Sequence, residues 1–130
     1  MRSFYFDNGV KAIIPYSWLD EKNDNLVSFY DPVDGVGALQ FSFYKAIDAD
    51  FADLGMVLYG YLRDKHDRVD IKQFPEYAAC SILDEDGVYW RYWLFLKRGD
   101  LIFVSYNCGE ATKKGDYDIV NNIIKSITLV

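Results

Sequence analysis

Short apolar runs separated by turn residues dominate the first third of the chain, which is typical of antiparallel strands. Phe4-Tyr5-Phe6 and Val10 to Ile14 flank Asp7-Asn8-Gly9. Because an Asn-Gly pair tolerates the positive φ of a tight hairpin, these runs predict two paired strands. The same reasoning then predicts a polar loop, a strand, a turn and a longer strand over residues 20–25, 26–30, 31–35 and 37–44.

Two later segments change from strand spacing to helical spacing. Leu54, Leu58 and Leu62 recur every four residues and predict an amphipathic helix over residues 51–65, with Asp53 near its start. An isoleucine stripe predicts a closing helix over residues 116–126. Two further strands are expected between these helices, over residues 69–74 and 77–83.

The stretch from Val88 to Cys108 is the most apolar and the most aromatic part of the chain. Both alternating faces of residues 88–97 are mostly apolar, which predicts a central strand covered on two sides. Arg98-Gly99-Asp100 then supplies the glycine and the charges of a hairpin tip, so we interpret it as a turn and not as an adhesion motif. The break also excludes a membrane-spanning helix, which needs about 20 apolar residues.

The elements follow in the order strands, helix, strands, helix, which predicts an α+β fold. In such folds the helices pack on an antiparallel sheet, here of about six to seven strands. No repeat, low-complexity tract or linker interrupts the 130 residues. We therefore predict one domain over residues 1–130.

The chain is acidic, with a formal net charge of −6 and a pI near 4.6. This balance argues against nucleic-acid and membrane binding, since both require a positive surface. Residues 1–60 carry a net charge of −5, whereas residues 61–130 carry −1. The first residues show no basic segment followed by an apolar run, so we expect a cytoplasmic location.

Residues that usually carry catalysis or metal binding are scarce. His66 is the only histidine and lies in a charged run, where we expect a solvated residue at a helix end. Cys80 and Cys108 lie in apolar runs and are predicted to be buried free thiols. The paired carboxylates lie in polar segments, where an ordinary pKa gives little acid–base catalysis. The sequence therefore predicts no catalytic residue, metal site, cofactor or enzyme activity.

Carboxylates and aromatic rings occur together between residues 16 and 34. Rings supply contact area and acids steer a basic partner, so the combination predicts a recognition surface for a basic protein. The residues assigned to this surface are Trp18, Asp20, Asp24, Tyr30, Asp31 and Asp34. In the alternative interpretation, Trp18 and Tyr30 pack into the core and the acids only keep the protein soluble.

The segments FYFDNGVKAIIPYSW and VSFYDPVDGVGALQFSFY precede a helix, a long aromatic hairpin and a closing helix. This arrangement resembles the PsbP-like fold over nearly the whole chain. The resemblance implies an α/β/α sandwich, as in photosystem proteins, Ran-binding proteins and small bacterial domains, some of them toxin immunity proteins. Because these families share no catalytic residues, it implies a non-enzymatic binding scaffold.

Three functions stay open at this point. The first is a cytoplasmic protein-binding domain, including an immunity protein that neutralises a basic toxin. The second is a small-molecule carrier or degenerate enzyme, with a pocket between the sheet and the first helix near Arg91, Tyr92 or Cys108. The third is an accessory domain whose apolar surface pairs with a second copy, so both a monomer and a homodimer are allowed.

Overall fold

The structure is a computed structural model that describes residues 1–33, 35–47, 53–110 and 115–130. The helices are α1 (Leu54–Leu62) and α2 (Tyr117–Lys125). The strands are β1 (Arg2–Tyr5), β2 (Val10–Ile14), β3 (Leu19–Asn23), β4 (Leu26–Tyr30), β5 (Gly37–Lys45), β6 (Lys72–Gln73), β7 (Tyr77–Leu83), β8 (Val88–Lys97), β9 (Asp100–Gly109) and β10 (Thr128–Leu129).

Seven of these strands form one antiparallel sheet in the order β3-β4-β5-β9-β8-β7-β6. The aromatic segment identified in the sequence supplies β8 and β9, which pair along their whole length from Val88↔Gly109 to Lys97↔Asp100. Arg98 and Gly99 both have positive φ, at 54° and 79°, which is the geometry of a two-residue hairpin turn. The predicted α+β fold is confirmed, and so is the turn at this tip.

One face of the large sheet, called here the covered face, is buried under the rest of the molecule. It carries Phe29, Leu39, Phe41 and Val104, each 5 % exposed or less. The rings of the phenylalanines in this cluster meet edge to face, tilted or stacked, with centroids 4.9 to 6.1 Å apart. Such contacts add about 0.5–1.5 kcal/mol per pair to the stabilisation from apolar burial.

The layer over the covered face consists of a three-stranded sheet, β1-β2-β10, together with α2. Val120 and Ile123 of α2 are fully buried in the same cluster. Asp116 is buried and immediately precedes the helix. Its carboxylate accepts hydrogen bonds from the Tyr106 hydroxyl at 3.0 Å and the Val36 amide at 3.3 Å, and these bonds fix the start of the helix. The charge on this carboxylate is thereby satisfied inside the core.

The opposite face of the sheet is called here the open face. Helix α1 packs on it mainly over β6, β7 and β8, and its Tyr61 ring also reaches Phe103 of β9 and Tyr44 of β5. Leu54, Leu58 and Leu62 are the buried side of the helix, and the Asp53 carboxylate caps its first turn by accepting from the Met56 amide at 3.1 Å. Across β3, β4 and β5, the described side chains on this face are half-exposed or exposed. The sheet therefore has a polar, accessible half beside α1.

Two sequence-based expectations need correction. The polar loop predicted over residues 20–25 is mostly the edge strand β3, because pairing with β4 satisfies its backbone although every side chain is exposed. His66 is not a solvated helix-end residue, because its ring packs against Trp90 and Tyr92. The prediction of buried free thiols at Cys80 and Cys108 is confirmed.

Candidate functional site

Three of the six residues assigned to the predicted recognition surface, namely Asp20, Asp24 and Tyr30, lie in the β3–β4 hairpin, residues 19–30, called here the acidic hairpin. Strand β3 ends the order of strands in the large sheet, and all five of its side chains are exposed. Charged side chains on an edge strand keep it from pairing with other sheets while leaving it open to a specific partner. The outer strand of the acidic hairpin, β3, is therefore accessible along its whole length.

The two carboxylates on β3 point to different sides of the sheet. Asp20 lies opposite Phe29 and so belongs to the covered side, where the Arg2 guanidinium donates to its carboxylate at 3.0 Å. Glu21 lies opposite Ser28 on the open face. There its carboxylate accepts from the Tyr30 hydroxyl at 2.9 Å, and this hydrogen bond raises the pKa of Tyr30. Asp20 and Tyr30 therefore do not share one face.

Asp24 forms the tip of the acidic hairpin, with a positive φ of 51° that aspartate tolerates better than most residues. It lies beside a cavity of about 250 Å³ whose walls include Phe4, Phe6 and Phe43. The rim of this cavity also carries an ion pair between the Lys22 ammonium and the Asp7 carboxylate. A carboxylate next to an aromatic cavity can hold an apolar or basic side chain of a partner.

The remaining assigned residues lie elsewhere. Trp18 is 2 % exposed and packs in the core of the covered face, so the alternative interpretation holds for this ring. Asp31 lies at the other end of β4 from Asp24, beyond a strand about 17 Å long. Its carboxylate accepts from the Val33 amide at 3.0 Å within the following turn. Asp34 lies outside the described residues.

A second concave site lies on the open face, at the C-terminal end of α1. This polar pocket has a volume of about 410 Å³, and Gln40, Ser42 and Ser105 lie along its sheet side. The register places Gln40 opposite Ser105 on the neighbouring strand. Trp90, Tyr92 and Phe103 form its aromatic side, and their rings lie nearly parallel at centroid distances of 5.8 and 5.9 Å.

His66 closes the aromatic side of the polar pocket. Its Nε2 lies 2.8 Å from the Tyr92 hydroxyl. Burial lowers the pKa of His66, and burial also raises the pKa of Tyr92, so both groups favour their neutral forms. A neutral imidazole and a neutral phenol can share this hydrogen bond without a charged partner.

The Asp84 carboxylate on the rim of the polar pocket is already engaged. It accepts from the Trp90 indole at 2.9 Å and from the amides of Asp86 and Val88 at 2.9 and 3.0 Å. These hydrogen bonds, the one from Trp90 above all, lower the pKa of Asp84. The carboxylate therefore shapes the β7–β8 turn and has little capacity left for a ligand.

Groups suited to nucleophilic or metal chemistry do not gather in either site. Burial raises the pKa of the Cys80 thiol to about 11, so it is not a thiolate at neutral pH. Among the described residues, no three His, Cys, Asp or Glu side chains lie close enough together to hold a metal ion. No helix in the described ranges combines the length and apolar character that a membrane crossing requires.

Sequence reasoning anticipated a pocket between the sheet and the first helix but not the polar residues that line it, and Arg91 and Cys108 are not among its lining residues. The second functional alternative placed a pocket near Tyr92, and Tyr92 does line it. Gln40 and Ser42 alternate with Leu39, Phe41 and Phe43 in the sequence, which signals a half-polar strand but not which other strands supply the pocket. Ser105 lies in an apolar run, and nothing in the sequence around it indicates that it lines a pocket.

Comparison with known proteins defines the fold. No family model matches the chain, and no curated protein matches it by sequence. A solution structure of cyanobacterial PsbP (CyanoP) from Synechocystis sp. PCC 6803 superimposes with a TM-score of 0.74 at 12% identity, covering 99% of this chain and 92% of that one. The fold is PsbP-like.

Two further structures agree with this fold. A mutant of protein Mog1 superimposes with a TM-score of 0.66 at 9% identity, covering 99% of this chain and 95% of that one. A protein from Bacteroides thetaiotaomicron VPI-5482 gives a TM-score of 0.64 at 13% identity, covering 98% of this chain. The match spans 48% of the Bacteroides chain. At these identities the likeness defines the architecture alone.

Proposed function

We propose that this chain is a non-enzymatic protein-binding module and that it binds a basic protein through the acidic hairpin. The observation that carries the proposal is an edge strand whose five side chains are all exposed, with carboxylates on both of its sides and a further carboxylate at its tip. Opposite charges on a partner would be steered to this edge and would form charge-assisted hydrogen bonds there.

The cavity beside Asp24 strengthens the proposal. Protein interfaces draw most of their affinity from a few side chains that enter well-packed pockets. Here the phenylalanine walls can contact the methylene groups of an arginine or lysine, while the Asp24 carboxylate lies near its charged end. The acidic hairpin thus offers both a charged edge and an anchoring cavity.

The finer proposal is that the partner is a basic toxin and that this chain is its cytoplasmic immunity protein. It rests on the resemblance to small bacterial immunity domains and on the acidic first half of the chain, with a net charge of −5 over residues 1–60. If so, the captured partner is itself a toxic enzyme, and one equivalent of this chain abolishes its activity.

The test compares two triple variants with the same change in charge. One variant carries Asp20→Asn, Glu21→Gln and Asp24→Asn, which keeps side-chain shape and leaves a residue that tolerates positive φ at the hairpin tip. The matched control carries Glu85→Gln, Asp86→Asn and Glu110→Gln around the β7–β8 turn, where the Glu110 amide donates to the Gly87 carbonyl. Each protein is immobilised and exposed to a lysate of the source cells and their competitors.

We expect wild type and control to retain the same basic protein and the hairpin variant to lose it. Added salt should weaken the retained complex, because exposed charges are screened. Equal retention by all three proteins would exclude the acidic hairpin as the binding surface. Retention of nothing by wild type would contradict the protein-binding proposal itself.

A further inference from the structure

We infer that the polar pocket on the open face is a binding site for a neutral, hydroxyl-rich ligand, namely a monosaccharide or the terminal sugar of a glycan. The inference is independent of the acidic hairpin. It concerns the pocket of about 410 Å³ at the end of α1, whose volume is in the range of small-molecule sites.

The unpaired hydroxyl of Ser105 is the first observation. Ser105 is 9 % exposed and lines the pocket; its backbone pairs within the sheet, but its hydroxyl forms no hydrogen bond with any residue that the structure describes. This hydroxyl is therefore left to bind water or a ligand at the wall of the pocket. A ligand hydroxyl would satisfy it both as donor and as acceptor.

Polar groups next to Ser105 also have hydrogen-bonding capacity that the protein leaves unused. Within the described part of the chain, the Ser42 hydroxyl also has no hydrogen-bond partner. The Gln40 amide donates to the Ser28 hydroxyl at 3.2 Å, which leaves its carbonyl oxygen as an acceptor. Gln40 and Ser105 face each other across β5 and β9, and Ser42 is the next residue of β5 on this face. Two hydroxyls and a carboxamide oxygen thus lie within one small area of the sheet.

The charges around the polar pocket select against ions. Asp84 disfavours an anion, and its carboxylate is too fully engaged to bind a cation. Lys65 on the rim disfavours a cation and is the only ammonium among the described residues that line the pocket. His66 and Tyr92 favour neutral forms. A neutral ligand is what these groups accommodate.

The aromatic side explains why the ligand is a ring and not a free-chain polyol. Trp90 and Phe103 are half-buried and lie beside the polar groups. Sugars carry hydroxyls on their edges and apolar C–H groups on their faces, so a sugar ring can contact aromatic carbon and polar groups together. Unpaired hydroxyls next to hydrocarbon surface match that mixed character.

The test is an NMR titration of the ¹⁵N-labelled chain with four neutral probes: the methyl glycosides of glucose, galactose, mannose and N-acetylglucosamine. We expect at least one probe to give saturable shifts at the amides of Gln40, Ser42 and Ser105 and at the Trp90 indole. Glucose 6-phosphate serves as the charged comparison and should bind more weakly than the corresponding neutral glycoside.

Variants decide whether the hydroxyls carry the binding. Ser105→Ala should raise the Kd about three- to tenfold, as expected for one lost hydrogen bond, and Ser42→Ala should do the same if Ser105→Ala disturbs folding. Ser81→Ala, an exposed serine on β7, is the matched control and should leave the Kd unchanged. Absence of saturable shifts with all four glycosides, tighter binding of the phosphate, or unchanged affinity in both pocket variants would overturn the inference.

Discussion

The two faces of the large sheet are built from the same strands, but on β5 they differ in chemistry. On β5, Leu39 and Phe41 enter the covered face and are fully buried, whereas Gln40 and Ser42 enter the open face and remain accessible. On β9, Val104 and Ser105 likewise point to opposite faces, although Ser105 is only 9 % exposed. The covered face carries one hydrophobic cluster and α1 buries a second one on the other side of the sheet, so only the part of the open face beside α1 and the acidic edge remain accessible.

The sharpest test of this division uses two consecutive residues. Phe41→Ala removes a fully buried ring that contacts Phe6 and Phe29, and we expect it to lower the free energy of unfolding by about 3–5 kcal/mol. Ser42→Ala changes the open face and should alter that free energy by less than about 0.5 kcal/mol. Urea unfolding measures both, and similar losses in the two variants would contradict the division.

The covered face also contains the buried Arg91 guanidinium, and removing its hydrogen-bond partner should have the next largest effect on stability. The Arg91 guanidinium lies between the rings of Trp93 and Tyr117, at 4.6 and 4.5 Å from their centroids, and donates to the Asn121 side chain at 2.5 Å. Asn121→Ala strips that hydrogen bond from a buried cation and should lower the free energy of unfolding by about 1.5–3 kcal/mol.

Its control is the next residue of α2. Asn122 is exposed, so Asn122→Ala should change the free energy of unfolding by less than about 0.5 kcal/mol. Thermal unfolding of both variants gives the comparison. Equal stability of the two variants would show that the guanidinium does not depend on Asn121.

The smallest expected effect on stability comes from protonation of His66 on the open face. Burial lowers the pKa of His66 in the folded state, so the unfolded chain takes up a proton near pH 6.5 while the folded chain resists it. Stability contributed by the neutral ring is therefore complete above about pH 6.5 and falls as the pH is lowered toward the folded pKa.

Comparison with His66→Gln isolates the contribution of imidazole protonation to the pH dependence of stability, because His66 is the only histidine. The free energy of unfolding of wild type, relative to the variant, should decrease between about pH 7 and pH 5. An increase over the same range would mean that the folded state prefers the charged imidazole, and the description of the ring as neutral would be wrong.

Much of the covered face could be predicted from the sequence, because burial of alternate positions imposes a periodic pattern. β7 and β8 have the predicted bounds, and α2 differs by one residue at each end. β3 escaped prediction because an edge strand with every side chain exposed has no apolar alternation to reveal it. Its identity comes from backbone pairing with β4, which composition does not encode.

The sites were less predictable than the fold. The acidic hairpin follows from its carboxylates, but the sequence did not show that Trp18 is buried or that Asp20 and Tyr30 occupy different faces. The polar pocket joins Gln40, Ser105 and His66 from distant segments. Only the strand order brings them together, so no local motif could identify them.

The measurement that tests the central claim most directly is hydrogen–deuterium exchange of the chain with and without its captured protein partner. The outer edge of β3 has no strand beside it among the described residues, so a docked partner should slow exchange there. The account predicts new protection over Leu19–Tyr30, with residues 40–42 unchanged. Protection at the polar pocket or over α2, with the acidic hairpin unaltered, would contradict it.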